Sequence, residues 1–204
     1  MSVGIDVKEV LEDVGSSIVI LRDSGNITDE YADIEINQQV TKPLIMSYFK
    51  KCTLAYDTDA VCGDIINFDT TGDYYLITTL NAEEFENAII TKQGLLYMCN
   101  VSGELLRPSG EAWNSQTYHK EPAWETIKSD CYALLVNPEF RNKLVEEESA
   151  MVSMEEDELY LPHSVGVRVN DRYEAVSGEF HKIEVVNSRR CFGVDVCRIV
   201  EDTR

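Results

Sequence analysis

The sequence predicts a mainly β protein: an antiparallel β-barrel or sandwich with one or two short helices and long arm-like loops. Three stretches carry this expectation. Residues 63–80 read as two short strands around the polar turn DTTGD. Residues 95–101, LLYMCNV, are an aromatic and apolar run of good strand formers. Residues 165–200 return to apolar alternation in paired segments. A run of short antiparallel strands favours a meander that curls into a barrel or sandwich. The alternation assigns Ile65, Leu76, Leu96, Val167, Val176, Val194 and Val196 to the core.

Taken in order, Ile5, Val10, Leu11 and Val14 fall on one side at helical spacing, and Gly15 is a natural stop. Residues 18–22 form a strand that Asp23-Ser24-Gly25-Asn26 turns. From Thr28 to Met46 the pattern fits an exposed strand or an extended arm. Ile34 and Ile36 alternate with polar residues there, and Pro43 opposes a central strand. Residues 53–56, 63–68 and 74–80 are strands, 83–91 is a helical turn or loop, and 95–101 is a strand turned by Ser102-Gly103. Residues 108–122 have no clear period and form an ordered loop or irregular hairpin; 124–136 is extended. Pro138 sits at a first helical position of a short helix to Met151, followed by the acidic loop Glu155–Glu158. Val165, Val167 and Val169 alternate as a strand, and 172–176, 182–186 and 192–200 follow. The blocks 63–80 and 165–176 share a plan, but their residues do not match as a repeat would. The reading is one β-rich domain over 1–204, with an extended arm at 29–46 and an insertion at 137–160.

Charge and composition narrow the function. The chain has 204 residues and a formal net charge of −19, from 18 basic and 37 acidic side chains. That balance opposes a surface that neutralises nucleic-acid phosphates. It suits solubility, or a surface that must lie close to DNA without adhering. The six cysteines sit mostly in apolar runs, and Met1–Val14 is acidic and lacks a leader-like apolar run. These features predict reduced thiols in a cytoplasmic folding compartment. No stretch has the roughly 20 apolar residues of a membrane helix.

No motif for catalysis stands out. The three histidines, His119, His163 and His181, lack metal-ligand spacing, and no P-loop, GxSxG, HExxH or GxGxxG occurs. The acidic runs lack an EF-hand pattern. Tyr74, Tyr75, Tyr97, Trp113, Tyr118 and Trp124 could stack on single strands, but a basic groove is missing, so core and interface packing accounts for them better. The expectation is a non-enzyme without cofactor or metal.

Several segments carry a family resemblance. They are VGSSIVILRD, GDIINFDTTGDYYLITTL, AIITKQGLLYMCN, GELLRPSG and the closing VGVRVNDRYEAVSGE and CFGVDVCRIVEDTR. Together they resemble the head-closure, or stopper, proteins of the head–tail connector in long-tailed bacteriophages, and more broadly the tail-completion and adaptor proteins of the neck. The matching positions are Gly63-Asp64, Tyr75-Leu76, Cys99-Asn100 and Arg168 to Val176. The run NPEFRNKLVEEESAMVSMEEDE departs from the plan and reads as an insertion. The resemblance implies a homo-oligomeric ring below the portal that closes the DNA-filled head and docks the tail. Its implied partners are further copies of itself, a portal or adaptor protein, a tail-completion or tail-terminator protein, and double-stranded DNA passing non-specifically, with no membrane. The implied location is the neck of the virion, after synthesis in the host cytoplasm.

On this reading Asp69, Asp73, Glu155, Glu156, Asp157 and Glu158 are the candidates to face the channel. Ile34, Ile36, Pro43, Trp113 and Trp124 are the candidates for subunit or partner contact, with the arm 29–46 expected to be dispensable for folding but needed for assembly. Two alternatives remain. One is a tail-completion, tail or baseplate β-module. The other is a small β-barrel hydrolase or isomerase using a buried carboxylate pair.

Overall fold

The computed structural model describes residues 3–36, 48–116, 118–136 and 157–203. Helix α1 (Val3–Val14) precedes twelve strands. The first six are β1 (Ser16–Leu21), β2 (Ile27–Ile36), β3 (Phe49–Ala55), β4 (Ile65–Phe68), β5 (Tyr74–Phe85) and β6 (Ala88–Met98). The second six are β7 (Val101–Asn114), β8 (His119–Val136), β9 (Asp157–Pro162), β10 (Arg172–Val176), β11 (Glu179–Cys191) and β12 (Val194–Glu201). Each set closes into an antiparallel barrel. Closure leaves no free sheet edge where the ring is complete, which is how a β-rich chain avoids edge-to-edge association.

The two barrels are the same barrel twice. The first runs β1-β2-β3-β6-β5-β4 and back to β1; the second runs β7-β8-β9-β12-β11-β10 and back to β7. Register agrees residue by residue. Ile20 faces Ile66 and Ile66 faces Tyr75, while Leu105 faces Tyr173 and Tyr173 faces His181. Both hairpins β5–β6 and β11–β12 shift register at the same place, after Ile77 and after Ile183. The first hairpins also agree, with shifts after Ile18 and after Gly103. The residue before each buried Asp64 or Asp171 has positive φ, 92° at Gly63 and 72° at Asn170. Equivalent inward positions carry equivalent cores: Ile20 with Leu105, Ala32 with Ala133, Leu54 with Leu161, Ile77 with Ile183, and Leu96 with Ile199, all buried.

A third apolar cluster joins the barrels. The first contributes Phe49, Ile65 and Leu76, and the second contributes Leu134, Tyr160, Val194 and Val196. Tyr74 stacks on Tyr132 with ring centroids 3.9 Å apart. Tyr97 meets Tyr160 edge-on at 5.7 Å. Only Cys99 and Asn100 separate β6 from β7. The Asn100 side chain donates to Leu135 O and accepts from Leu135 N, both at 2.8 Å, so the linker is fastened to β8. At Gly63 and Gly193 the two backbones touch, and a Cβ on Gly63 would run into Gly193 O. The contact is front to back. Ile65, Leu76 and Tyr97 of the first barrel correspond to Arg172, Lys182 and Val200 of the second, which lie away from it. Leu134, Tyr160 and Val196 correspond to Asp33, Thr53 and Gln93. Residue type follows the face: apolar where the other barrel covers it, and polar at five of the six equivalent positions that it does not cover, Val200 being the exception.

Several expectations are corrected. Residues 29–36 are not an arm but most of β2, paired with both β1 and β3 and holding the fully buried Ala32. Deleting them would open the first barrel. Pro43 and the rest of the arm, 37–46, lie outside the described residues, as does the expected helix 138–151. Residues 83–91 form the end of the β5–β6 hairpin, where Glu86 and Asn87 both take positive φ (50° and 62°) and so make the tight turn a hairpin prefers. Ser102-Gly103 lies inside β7. Residues 163–165 form a 3-10 turn rather than a strand. Val176 is 57% exposed at the end of the β10–β11 hairpin, although the other six expected core residues are buried.

Candidate functional site

A groove of about 850 Å³ lies between the barrels. Its lining includes the apolar and aromatic Leu21, Ile65, Ile127, Tyr132, Pro162 and Val165 and the charged Arg22, Asp23, Asp64, Lys128 and Asp130. The Lys128 ammonium pairs with Asp23 across the groove, from β8 to the β1–β2 turn.

Arg22 and Asp64 form a clamp at one side. Arg22 Nε donates to Asp64 Oδ1 at 2.9 Å and Nη2 to Oδ2 at 2.6 Å, while Nη2 also reaches Asp59 O at 2.7 Å. Val61 N donates to the same carboxylate at 2.9 Å. The second barrel repeats it. Arg107 Nε and Nη2 donate to Asp171 at 2.9 and 2.7 Å, Nη2 reaches Gly166 O at 2.9 Å, and Arg168 N donates to Asp171 at 2.8 Å. A bidentate guanidinium–carboxylate pair is directional as well as strong. Each pins the loop that crosses a barrel end to the strand entering it. Hydrogen bonding to the carboxylate raises both arginine pKa values, so both stay charged. Since both clamps are internally satisfied and occur twice, their work is structural.

Arg172 and Asp202 form a third pair, 2.8 Å apart and almost wholly buried. Trp124 and Phe180 lie over the guanidinium, at 3.9 and 4.6 Å from it. This cluster covers the second barrel at the position where Ile65 of the first meets its neighbour.

Nucleophile chemistry finds little support. His163 Nδ1 lies 2.9 Å from Asp195 Oδ1, with the imidazole 65% exposed. Among the described residues no serine, threonine or cysteine hydroxyl or thiol hydrogen-bonds that ring. The cysteines are all unpaired. Burial pushes the Cys52, Cys131 and Cys197 thiols up to about 12 and raises Cys62 and Cys99 as well, so these stay protonated and inert near neutral pH. A thiol reagent should count six groups in denaturant, with Cys52, Cys131 and Cys197 silent until the chain unfolds; a count of two or fewer would contradict this. No group of three or more His, Cys, Asp or Glu side chains suited to a metal occurs among the described residues.

The expected channel and contact residues are dispersed. Asp69 and Asp73 lie in the β4–β5 turn, where Asp69 accepts from Ser17 Oγ at 2.5 Å. Glu155 and Glu156 lie outside the described residues. Asp157 and Glu158 begin β9 rather than a loop, and Glu158 holds Tyr160 OH at 2.8 Å and Arg190 at 2.7 Å. Ile34 is half-buried against the first core, and Ile36 is 61% exposed. Trp124 packs on Arg172, whereas Trp113 is 63% exposed on the β7–β8 hairpin. Sequence reasoning missed the two clamps. The two aspartates share one spacing: each accepts from a backbone N–H three residues upstream, and its arginine reaches the carbonyl five residues upstream. No protein-family model, curated protein or solved structure matches this chain.

Proposed function

We propose that this chain is a structural protein of the bacteriophage neck, assembling as a ring beneath the portal that closes the filled head and docks the tail. The observation that carries the reading is the placement of large aromatic side chains. Phe85, Trp113 and Tyr118 are 52%, 63% and 74% exposed on the outer parts of hairpins, and Phe192 is 85% exposed on the β11–β12 turn beside the inter-barrel contact. An isolated exposed apolar residue is ordinary. Aromatic residues at the ends of projecting hairpins on a rigid double barrel are suited to contacts with other proteins, because Tyr and Trp dominate binding energy at interfaces. The sequence resemblance supplies the setting, and the net charge of −19 suits a wall past which DNA must slide. Asp69 and Asp73 are the channel-lining candidates: carboxylates there raise the energy of the phosphate backbone along the path, so no position traps it.

The test is genetic and visual. Particles made without this chain should have filled heads that lose DNA and lack tails, and complete infectious particles would contradict the proposal. In assembled particles, Asp69→Lys with Asp73→Lys should slow DNA exit. Ejection at the wild-type rate would remove these two residues from the channel wall.

A further inference from the structure

We propose that the outer part of the β7–β8 hairpin is an assembly arm that seats Trp113 and Tyr118 in the inter-barrel groove of a second copy of this chain. The inference rests on the ring-forming reading above and names the contact that builds the ring.

The duplication provides an internal control. In the first barrel Arg22 is joined to Ile27 by residues 23–26. The equivalent Arg107 is joined to Lys128, the counterpart of Ile27, by residues 108–127. The barrel therefore closes without the extra length. Among the described residues the ribbon gains no third strand beyond Arg107: β7 pairs with β10 over Glu104–Leu106 and β8 with β9 over Leu134–Val136, while Trp124 and Ile127 fasten its base to the second barrel. A two-stranded ribbon standing free in water is marginal.

Its chemistry selects a mode of contact. Pro108 and Pro122 interrupt the donors along the two open edges, which discourages strand addition. Trp113 and Tyr118, both largely exposed, make side-chain insertion the available route. Residues 109–120 hold one glutamate and one lysine, a neutral patch on a chain of charge −19. Two copies repel each other least where such a patch leads.

The receiving site is on the same molecule. The groove lies in the volume range of pockets that bury small ligands, and beside its apolar lining stand Ser24, Asn26 and Ser129, which can pair with an indole N–H or a phenol. A ribbon cannot fill the groove beside its own root. Lys120, opposite Trp113, is seven residues from Ile127 in the groove lining, and a strand rises about 3.4 Å per residue, so the tip stands roughly 24 Å away. It reaches the equivalent groove of a neighbour. Tip and groove are different surfaces, so the contact is head-to-tail and closes into a ring when the rotation per subunit allows.

Sedimentation of the full chain, with far-UV circular dichroism as a check on folding, tests this. Wild type should form a discrete oligomer whose mass does not fall as salt is raised. Trp113→Ser with Tyr118→Ser should stay folded and weaken self-association at least about tenfold. A photo-crosslinker at position 113 should join subunits through residues 21–26, 127–132 or 162–165. An oligomer that survives the double substitution, or crosslinks mapping elsewhere, would overturn the arm while leaving the ring intact. A wild-type chain that is monomeric throughout would overturn both.

Discussion

Replacing Asp171 with alanine should destabilise the protein by about 3 kcal/mol, and Asp64→Ala by about 2–3 kcal/mol. Each carboxylate is nearly buried, at 2% and 9% side-chain exposure, and each satisfies both a guanidinium and a backbone N–H. Removal orphans an arginine that is itself mostly covered. The arginines are 22% and 27% exposed, so water recovers part of the loss, which places the expected cost at or below the lower end for a broken buried pair. Replacing Arg107 as well should restore some of the stability, because no unpaired charge remains. Urea unfolding curves measure all three changes. Costs below about 0.5 kcal/mol for both aspartates would show that the clamps do not hold the barrel ends.

Alkaline pH should unfold the protein before the arginines titrate. Below pH 8 the cysteines are protonated in both states and contribute nothing to the pH dependence. Above the ordinary thiol value of 9.0 the unfolded chain releases protons that Cys52, Cys131 and Cys197 retain in the fold up to about 12. The unfolded state then binds fewer protons, so stability falls as pH rises. Each thiol contributes about 1.4 kcal/mol per pH unit in that window, on the order of 4 kcal/mol per unit for the three. A margin of about 5–10 kcal/mol, in the lower part of the usual range, is exhausted within roughly one to two and a half units. The urea midpoint should be flat from pH 7 to 8.5 and fall steeply above 9. Cys52→Ala should lower the slope by one proton. A midpoint unchanged to pH 11 would refute the assignment of these thiols as buried and neutral.

Much of the β architecture was legible because alternation reports which side of a strand is covered. Ile65, Leu76, Val194 and Val196 were found in this way. The duplication was not legible, for a physical reason. Two barrels of the same topology packed front to back bury opposite faces, so equivalent outward positions face different surroundings. Ile65 corresponds to Arg172, and Leu134 to Asp33. Only inward positions are free to match, and these are ordinary aliphatic residues. What does survive at outward positions is the Arg22–Asp64 and Arg107–Asp171 pair, since its hydrogen bonds are internal to each barrel. Segment 83–91 was misread because its run of glutamates suits a helix, while Glu86 and Asn87 in positive φ set a hairpin. Val176 was misplaced because alternation continues past the point where β10 leaves the core.

Negative-stain imaging of the purified chain separates a neck ring from a free double barrel. A neck protein should give closed rings of uniform subunit number around an open lumen. Single particles of one double barrel, unchanged up to high protein concentration, would contradict that reading.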